Sequence, residues 1–319
     1  MSLKPERLQN GRQTVIFLMG PTGAGKTDVA IELAGRLSCG IISVDSALIY
    51  RGMDIGTAKP DPATLARIPH RLIDICDPAD SYSAARFRGD ALREIETLLA
   101  AQQVPLLVGG TMLYFRALAQ GLSQLPESDP LLRRQLQEQA VRDGWAAMHA
   151  RLRRTDPETA RRIHPNDPQR ILRAIEVFEL SGKPLSALQG QMEPLPYNII
   201  RIVISPVERA VLHQRIERRF ERMMAQGFLS EVEHLYRRGD LGPELPSMRA
   251  VGYRQLWSFL AGEYDLTTAI QRGITATRQL AKRQLTWLRA EPIETKWIDA
   301  GDKNMLDSVL KTLERAQLL

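Results

Sequence analysis

The sequence predicts an α/β fold: a parallel-sheet core flanked by helices, interrupted by an all-helical insertion domain. Three observations lead there. Apolar, β-branched runs alternate with helical spacing over the first 110 residues. From Pro130 to about Gly190 there are helix signals and no strand run. A β-branched run then returns at Ile199–Ile204. Alternation of strand and helix implies a parallel sheet covered on both faces.

Thr14–Met19 is a short apolar run bounded by Gly20 and Pro21 and reads as a buried strand. Helical spacing comes next over Lys26–Leu37. Gly40–Val44 reads as a second strand and Arg71–Ile75 as a third. Ala84–Gln102 is a helix pattern, and Val104–Val108 is a further strand before Gly109-Gly110. In the insertion, Pro126, Pro130, Pro157, Pro165, Pro168 and Pro184 punctuate short helices. Helices are expected over Pro206–Gln226, stopped by Gly227, and over Leu266 to about Arg289. A last strand is expected at Lys296–Asp299, before a C-terminal helix. The core therefore comprises 12–120 and 198–319, and the insertion 121–197. Trp257, Trp287 and Trp297 read as packing residues.

Composition sets limits on function. The chain has 319 residues, 44% apolar and 25% charged, ordinary values for a globular protein with ample core material. No apolar run approaches the ~20 residues that span a bilayer. The polar start, Met1 to Gln13 with Lys4, Arg7 and Arg12, lacks the apolar stretch of a signal peptide. Cys39 and Cys76 are read as reduced thiols, so a cytoplasmic protein is expected, acting as a monomer. The net charge of +6 points to a polyanionic partner. Residues 201–290 hold fifteen Lys/Arg against nine Asp/Glu. Residues 151–173 hold seven Arg against three acids.

Gly20-Pro21-Thr22-Gly23-Ala24-Gly25-Lys26-Thr27 matches the G-x-x-x-x-G-K-[ST] pattern of a P-loop, with a strand before it and a helix after. The glycines let backbone N–H groups turn toward an anion, and the helix after the loop adds its positive dipole end. Lys26 supplies a point charge, and Thr27 is placed to ligate Mg²⁺. The loop specifies a diphosphate-type anion, ATP being one such ligand by motif. Val104–Val108 ends in Gly109-Gly110-Thr111 and offers no carboxylate of the kind an ATP-hydrolysing core usually carries. The second strand does end in Asp45. A carboxylate at that sheet edge can take a proton from a nucleophile beside the loop, or it can simply form a turn. A nucleoside or small-molecule kinase and a non-catalytic RNA-binding switch are the competing readings.

Asp45-Ser46-Ala47-Leu48-Ile49-Tyr50-Arg51-Gly52-Met53-Asp54-Ile55-Gly56-Thr57-Ala58-Lys59-Pro60 resembles the signature of the bacterial tRNA dimethylallyltransferase family. Also similar to that family are Gly109-Gly110-Thr111-Met112-Leu113-Tyr114, His164-Pro165-Asn166-Asp167-Pro168-Gln169-Arg170, Val251-Gly252-Tyr253-Arg254-Gln255 and Thr277-Arg278-Gln279-Leu280-Ala281-Lys282-Arg283-Gln284. The resemblance runs from about Thr14 to Arg289. It departs at Gly23-Ala24, where many relatives carry Ala-Ser, with the glycines and lysine of the loop retained. It implies a P-loop NTPase-like core with a helical insertion. It also implies dimethylallyl diphosphate and the tRNA adenosine 3′ of the anticodon as substrates, with isopentenylated amine and pyrophosphate as products.

By the same resemblance Asp45 is the base, Lys26 and Thr27 serve the diphosphate, and Arg219 is the catalytic arginine. Helix geometry agrees on Arg219. Leu212, Ile216, Phe220 and Met223 form an apolar stripe; at about 100° per residue, Arg219 lies ~60° from its centre and Arg218 ~160° away. A guanidinium on that border requires an anion. Arg215 shares its side of the helix. The resemblance further assigns tRNA contacts to Asp45, Ser46, Ala47, Leu48, Thr111, Gln169, Arg170, Ile171, Leu172, Arg173, Arg249, Arg278, Lys282, Arg283 and Gln284.

Overall fold

A computed structural model of the chain describes residues 13–190, 192–291 and 293–316. The polar N-terminal stretch, Gln13 apart, lies outside the described residues. The elements in chain order are β1 (Thr14–Met19), α1 (Lys26–Arg36), β2 (Cys39–Val44), α2 (Pro62–Arg67), β3 (His70–Arg71), α3 (Ala84–Ala100), β4 (Val104–Gly109) and α4 (Met112–Gln120). Next come the helices α5 (Pro130–Asp143), α6 (Trp145–Thr155), α7 (Pro157–Arg162), α8 (Pro168–Ser181) and α9 (Leu185–Leu188). The chain then continues through β5 (Asn198–Ser205), α10 (Arg209–Ala225), α11 (Phe228–Tyr236), α12 (Tyr253–Leu260), α13 (Leu266–Ala290), β6 (Lys296–Asp299) and α14 (Met305–Arg315).

The strands form one parallel sheet in the order β3-β2-β4-β1-β5-β6. Strand residues alternate between two cores, as the pleat requires. Val15, Phe17 and Met19 join Ile42, Val44, Leu107 and Val203 in a cluster covered by α3, α4 and α10 to α13. Ile16 and Leu18 join Ile41, Leu106, Ile202 and Ile204 under α1 and α14. Because β4 lies between β1 and β2, the connections leaving β1 and β2 open a crevice at their carboxyl ends, where parallel α/β sheets bind ligands.

The chain divides into two compact units, one running through Ala119 and resuming at Leu195, the other Gln120–Pro194. The second boundary falls three residues before the expected one. Leu195 is buried in the large core, and its N–H donates to Ala119 O at 3.0 Å. Within the helical unit, Leu136, Met148, Leu152, Ile171, Leu172 and Ile175 pack together. Pro130, Pro157 and Pro168 occupy first-turn positions behind Asp129, Asp156 and Asp167, each of which caps its helix through a carboxylate oxygen. Glu176 is fully buried there and accepts from Arg173 at 2.8 Å, Ser128 at 2.5 Å and the Asp129 N–H at 3.2 Å.

Three expectations need correction. The third strand is only His70–Arg71, since Leu72 and Asp74 adopt φ of 62° and 57° and leave the extended region. The helix expected from Pro206 begins at Arg209, because Glu208 is still extended. Trp257 is core, but Trp297 on edge strand β6 is 41% exposed and Trp287 is half-buried against a cavity. Helices α2, α4, α11 and α12 are not among the elements the sequence predicts; their short apolar runs sit next to glycine-rich motifs and loops that mask their period.

One close approach supports the whole edge. A Cβ built on Gly109 would lie 2.0 Å from Val44 O. Gly109→Ala should therefore force β2 from β4 and cost about 3 kcal/mol. A lowered urea midpoint would report this, and an unchanged midpoint would contradict it.

Candidate functional site

The parallel ladders place Met19 and Val44 both opposite Gly109. Gly20, Asp45 and Gly110 therefore leave the sheet at one level. The P-loop continues from β1, the Asp45 turn from β2 and Gly110-Thr111 from β4. These three segments and helices α10, α12 and α13 line a cavity of about 540 Å³. Its polar lining includes Thr22, Asp45, Ser46, Thr57, Thr111, Arg219, Arg249, Arg283 and Gln284. Its apolar lining includes Met112, Leu113, Phe220, Met223, Tyr253, Leu280 and Trp287.

Gly23 and Gly25 have φ of 79° and 85°, the left-handed conformation that lets the loop wrap round an anion. Helix α1 starts at Lys26 with Gly25 as its cap residue, and no side chain caps it. Helices α2, α3, α5, α8 and α13 begin with Asp or Ser caps. The first N–H groups of α1 thus lack both intrahelical and side-chain acceptors, as an anion site requires. Lys26 Nζ donates to Pro21 O at 2.8 Å across the loop. Burial lowers the Lys26 pKa to about 8, opposed by nearby Asp45 and reinforced by Arg219.

Asp45 Oδ1 accepts from the N–H groups of Ala47 at 2.8 Å and Leu48 at 3.4 Å. The turn expected as the alternative reading is therefore present, formed through Oδ1. Thr111 fixes the same turn. Its hydroxyl accepts from Ser46 N–H at 3.0 Å and donates to Ser46 Oγ at 3.3 Å.

Arg219 is half-buried and Arg218 is exposed, as the stripe geometry required. Arg219 Nη2 donates to Thr57 O at 3.1 Å. Burial lowers its pKa; Asp45 opposes that shift and Arg222 adds to it. Arg215 is directed elsewhere and donates to Ala300 O at 3.0 Å.

Sequence reasoning misses Thr57 as a site residue, and it misses the device that holds it. Glu231 on α11 accepts from the N–H groups of Asp54 at 2.9 Å, Ile55 at 2.7 Å and Gly56 at 3.1 Å, and also from the Tyr253 hydroxyl. Lys59 pairs with Asp54 and Asp74 beside it. Glu231 stands 175 residues from Gly56, and only tertiary structure could join them.

The residues assigned to tRNA divide. Ser46, Ala47, Thr111, Arg249 and Arg283 line the cavity with the P-loop. Gln169 and Arg170 are exposed on α8 in the helical unit. Ile171 and Leu172, at 0% and 3% exposure, pack in the core of that unit. Arg173 is tied to Glu176 and to Pro126 O at 2.7 Å. Arg278 pairs with Glu217 at 2.7 Å, and Lys282 is exposed. Gln284 is buried and bonded only to backbone groups of Thr22 and Gly110.

No group of three or more His, Cys, Asp or Glu suited to a metal occurs among the described residues. The exposed Thr27 at the start of α1 offers one hard oxygen. That donor set fits an ion such as Mg²⁺, which keeps its waters and takes phosphate oxygens.

Comparison with known proteins is consistent across sequence and fold. A family model described as IPP transferase matches residues 48–291. A tRNA dimethylallyltransferase of Thioalkalivibrio sulfidiphilus (strain HL-EbGR7) is 62% identical over 279 residues, 87% of each chain. One from Alkalilimnicola ehrlichii (strain ATCC BAA-1101 / DSM 17681 / MLHE-1) is 60% identical, covering 91% of this chain and 92% of that one. The crystal structure of full-length tRNA isopentenylpyrophosphate transferase from Bacillus halodurans is 35% identical with a TM-score of 0.68, covering 95% of this chain and 98% of that one. A eukaryotic dimethylallyltransferase acting on tRNA is 26% identical with a TM-score of 0.81, covering 95% and 78%.

The lowered lysine pKa gives a test. Above about pH 8 the free site loses the Lys26 proton, while a bound anion would hold it. Calorimetric affinity for inorganic pyrophosphate should therefore fall above pH 8 by up to about tenfold per unit. Lys26→Met should bind weakly and show no such decline. Equal pH dependence in both would remove Lys26 from the anion site.

Proposed function

The chain belongs to the IPP transferase family, the tRNA dimethylallyltransferases, and we propose that its cavity joins dimethylallyl diphosphate to the exocyclic amine of the tRNA adenosine 3′ of the anticodon. The observation that carries this reading is the convergence of P-loop, Asp45 and Arg219 on one cavity of about 540 Å³.

The diphosphate lies in the loop, against the N–H groups that open α1 and the charges of Lys26 and Arg219. Gly20, Pro21, Thr22, Gly23, Ala24 and Gly25 shape that cradle. The five-carbon tail packs on the cavity's apolar side. An adenine amine is a poor nucleophile, because its lone pair is delocalised into the ring. As its nitrogen bonds to the allylic carbon, the carbon–oxygen bond breaks and the electron pair leaves with pyrophosphate. The amine proton passes to Asp45 Oδ2. Charge growing on the leaving oxygens is stabilised by Lys26, Arg219 and the loop amides. When bound, Mg²⁺ would neutralise part of the diphosphate charge, held by Thr27 and phosphate oxygens.

A base stacked in an RNA loop must be drawn out before its amine can reach such a cavity. Arg249 and Arg283 at the rim suit the phosphates that accompany it. The exposed arginines of the helical unit, Arg170 among them, suit the anticodon stem. No described helix is long and apolar enough to cross a membrane. Action as a monomer in the cytoplasm completes the reading.

Incubation with dimethylallyl diphosphate and unmodified tRNA should release pyrophosphate and yield a prenylated adenine without ATP. Phosphate transfer from ATP to a small acceptor would instead support a kinase. Asp45→Ala should lower kcat by about 10²–10⁴-fold with tRNA affinity nearly retained; an unchanged kcat would exclude Asp45 as base. Arg219→Ala should lower kcat by about 10²–10³-fold. Arg219→Lys should not restore it, because an ammonium lacks the planar fork that can hold Thr57 O and an anion together.

A further inference from the structure

We propose that Gln284 is a positioning residue for the P-loop, setting the diphosphate site from helix α13. The inference rests on reading the loop as the diphosphate site. Gln284 Oε1 accepts from Thr22 N–H at 2.9 Å, and its Nε2 donates to Gly110 O at 2.8 Å. The orientation of the carboxamide is fixed by its partners, since a backbone N–H only donates and a carbonyl only accepts. The side chain is 9% exposed. Both its polar atoms are bonded to backbone.

The surroundings are shaped for this bridge. A Cβ on Gly110 would lie 2.5 Å from Gln284 Nε2 and 3.3 Å from Gly20 O, so only glycine leaves room between the two loops. On the far side, a Cβ on Gly23 would lie 3.3 Å from Ile216 Cγ1. Ile216 packs with Leu212, Ala281 and Leu285 in a small cluster of α10 and α13. Ala281 and Leu285 flank Gln284 on its own helix. The segment Thr22-Gly23 is thus held from one side by a hydrogen bond and from the other by packing. Gln284 spans strand ends β1 and β4, and Gly110 precedes the Thr111 that pins the Asp45 turn. One carboxamide therefore sets the spacing between the leaving-group cradle and the base. The neighbouring Lys282 is exposed, and Arg283 is exposed at the cavity.

The test separates donor binding from tRNA binding. Gln284→Met should weaken calorimetric binding of inorganic pyrophosphate, measured without RNA, about tenfold. KM for dimethylallyl diphosphate should rise by a similar factor while KM for tRNA stays constant. In Gln284→Glu one oxygen still accepts from Thr22, but the other faces Gly110 O, acceptor against acceptor. Protonation turns that oxygen into a donor and restores the bridge. The ratio of Gln284→Glu to parent affinity for pyrophosphate should therefore climb as pH falls from about 8 to about 5.5. A raised tRNA KM with unaltered pyrophosphate affinity overturns the proposal, and so does a flat ratio for the glutamate variant. No pyrophosphate binding by the parent chain would overturn the donor-site reading itself, and this proposal with it.

Discussion

Backbone hydrogen bonding between parallel strands is the constraint on which the site depends. The ladders put Met19, Val44 and Gly109 at one height. Three chain segments with different chemistry must then leave the sheet together: a glycine-rich loop, a carboxylate turn and a glycine pair ending in a hydroxyl. Any slip of one residue between β2 and β4 would carry Asp45 away from the loop. It would also turn the buried side chains of β2 to the wrong face. Gly109 protects that register, since its missing side chain lets the two strands approach where a methyl group would meet Val44 O.

Around this edge the structure adds fixings that no single motif contains. Glu231 gathers three consecutive N–H groups of the 54–56 segment and a tyrosine hydroxyl. The result is a carbonyl, Thr57 O, aimed at Arg219. Gln284 ties the P-loop to β4, and Thr111 ties the Asp45 turn. Each fixing joins a residue from one half of the core to a loop of the other, or one sheet edge to its neighbour. Groups held in this way need little reorganisation when charge develops during reaction, which is how preorganised sites gain rate.

These differences in origin explain what is legible in the sequence. The strands β1, β2 and β4 and the P-loop can be read because their signals are local: an apolar run, a glycine pattern, a helical period. Arg219 is separable from Arg218 because a helix converts sequence spacing into angle. The burial of Ile171 and Leu172 is not given by the motif that holds them, because a motif shared by resemblance does not say which of its residues face inward. On α8 the period alone would have marked both as core. Glu231, Thr57 and the backbone commitment of Gln284 are invisible, because each depends on partners between 162 and 262 residues away. The shortened β3 results from left-handed backbone at Leu72 and Asp74, residue types that give little warning of it.

Charge balance supplies the last step. Lys26 and Arg219 are both half-buried, and burial lowers the pKa of each. Asp45 offsets them in part, but its Oδ1 already accepts two backbone N–H groups. Asp28 in the first turn of α1 offsets Arg219 further, and Arg222 adds to the positive charge, so cations and carboxylates meet beside a helix N-terminus without a side-chain cap, where an incoming anion is favoured. A diphosphate is such an anion, and a departing pyrophosphate is more negative still. The cations that face the anion site thus also face the carboxylate of Asp45, across the one cavity that all three segments line.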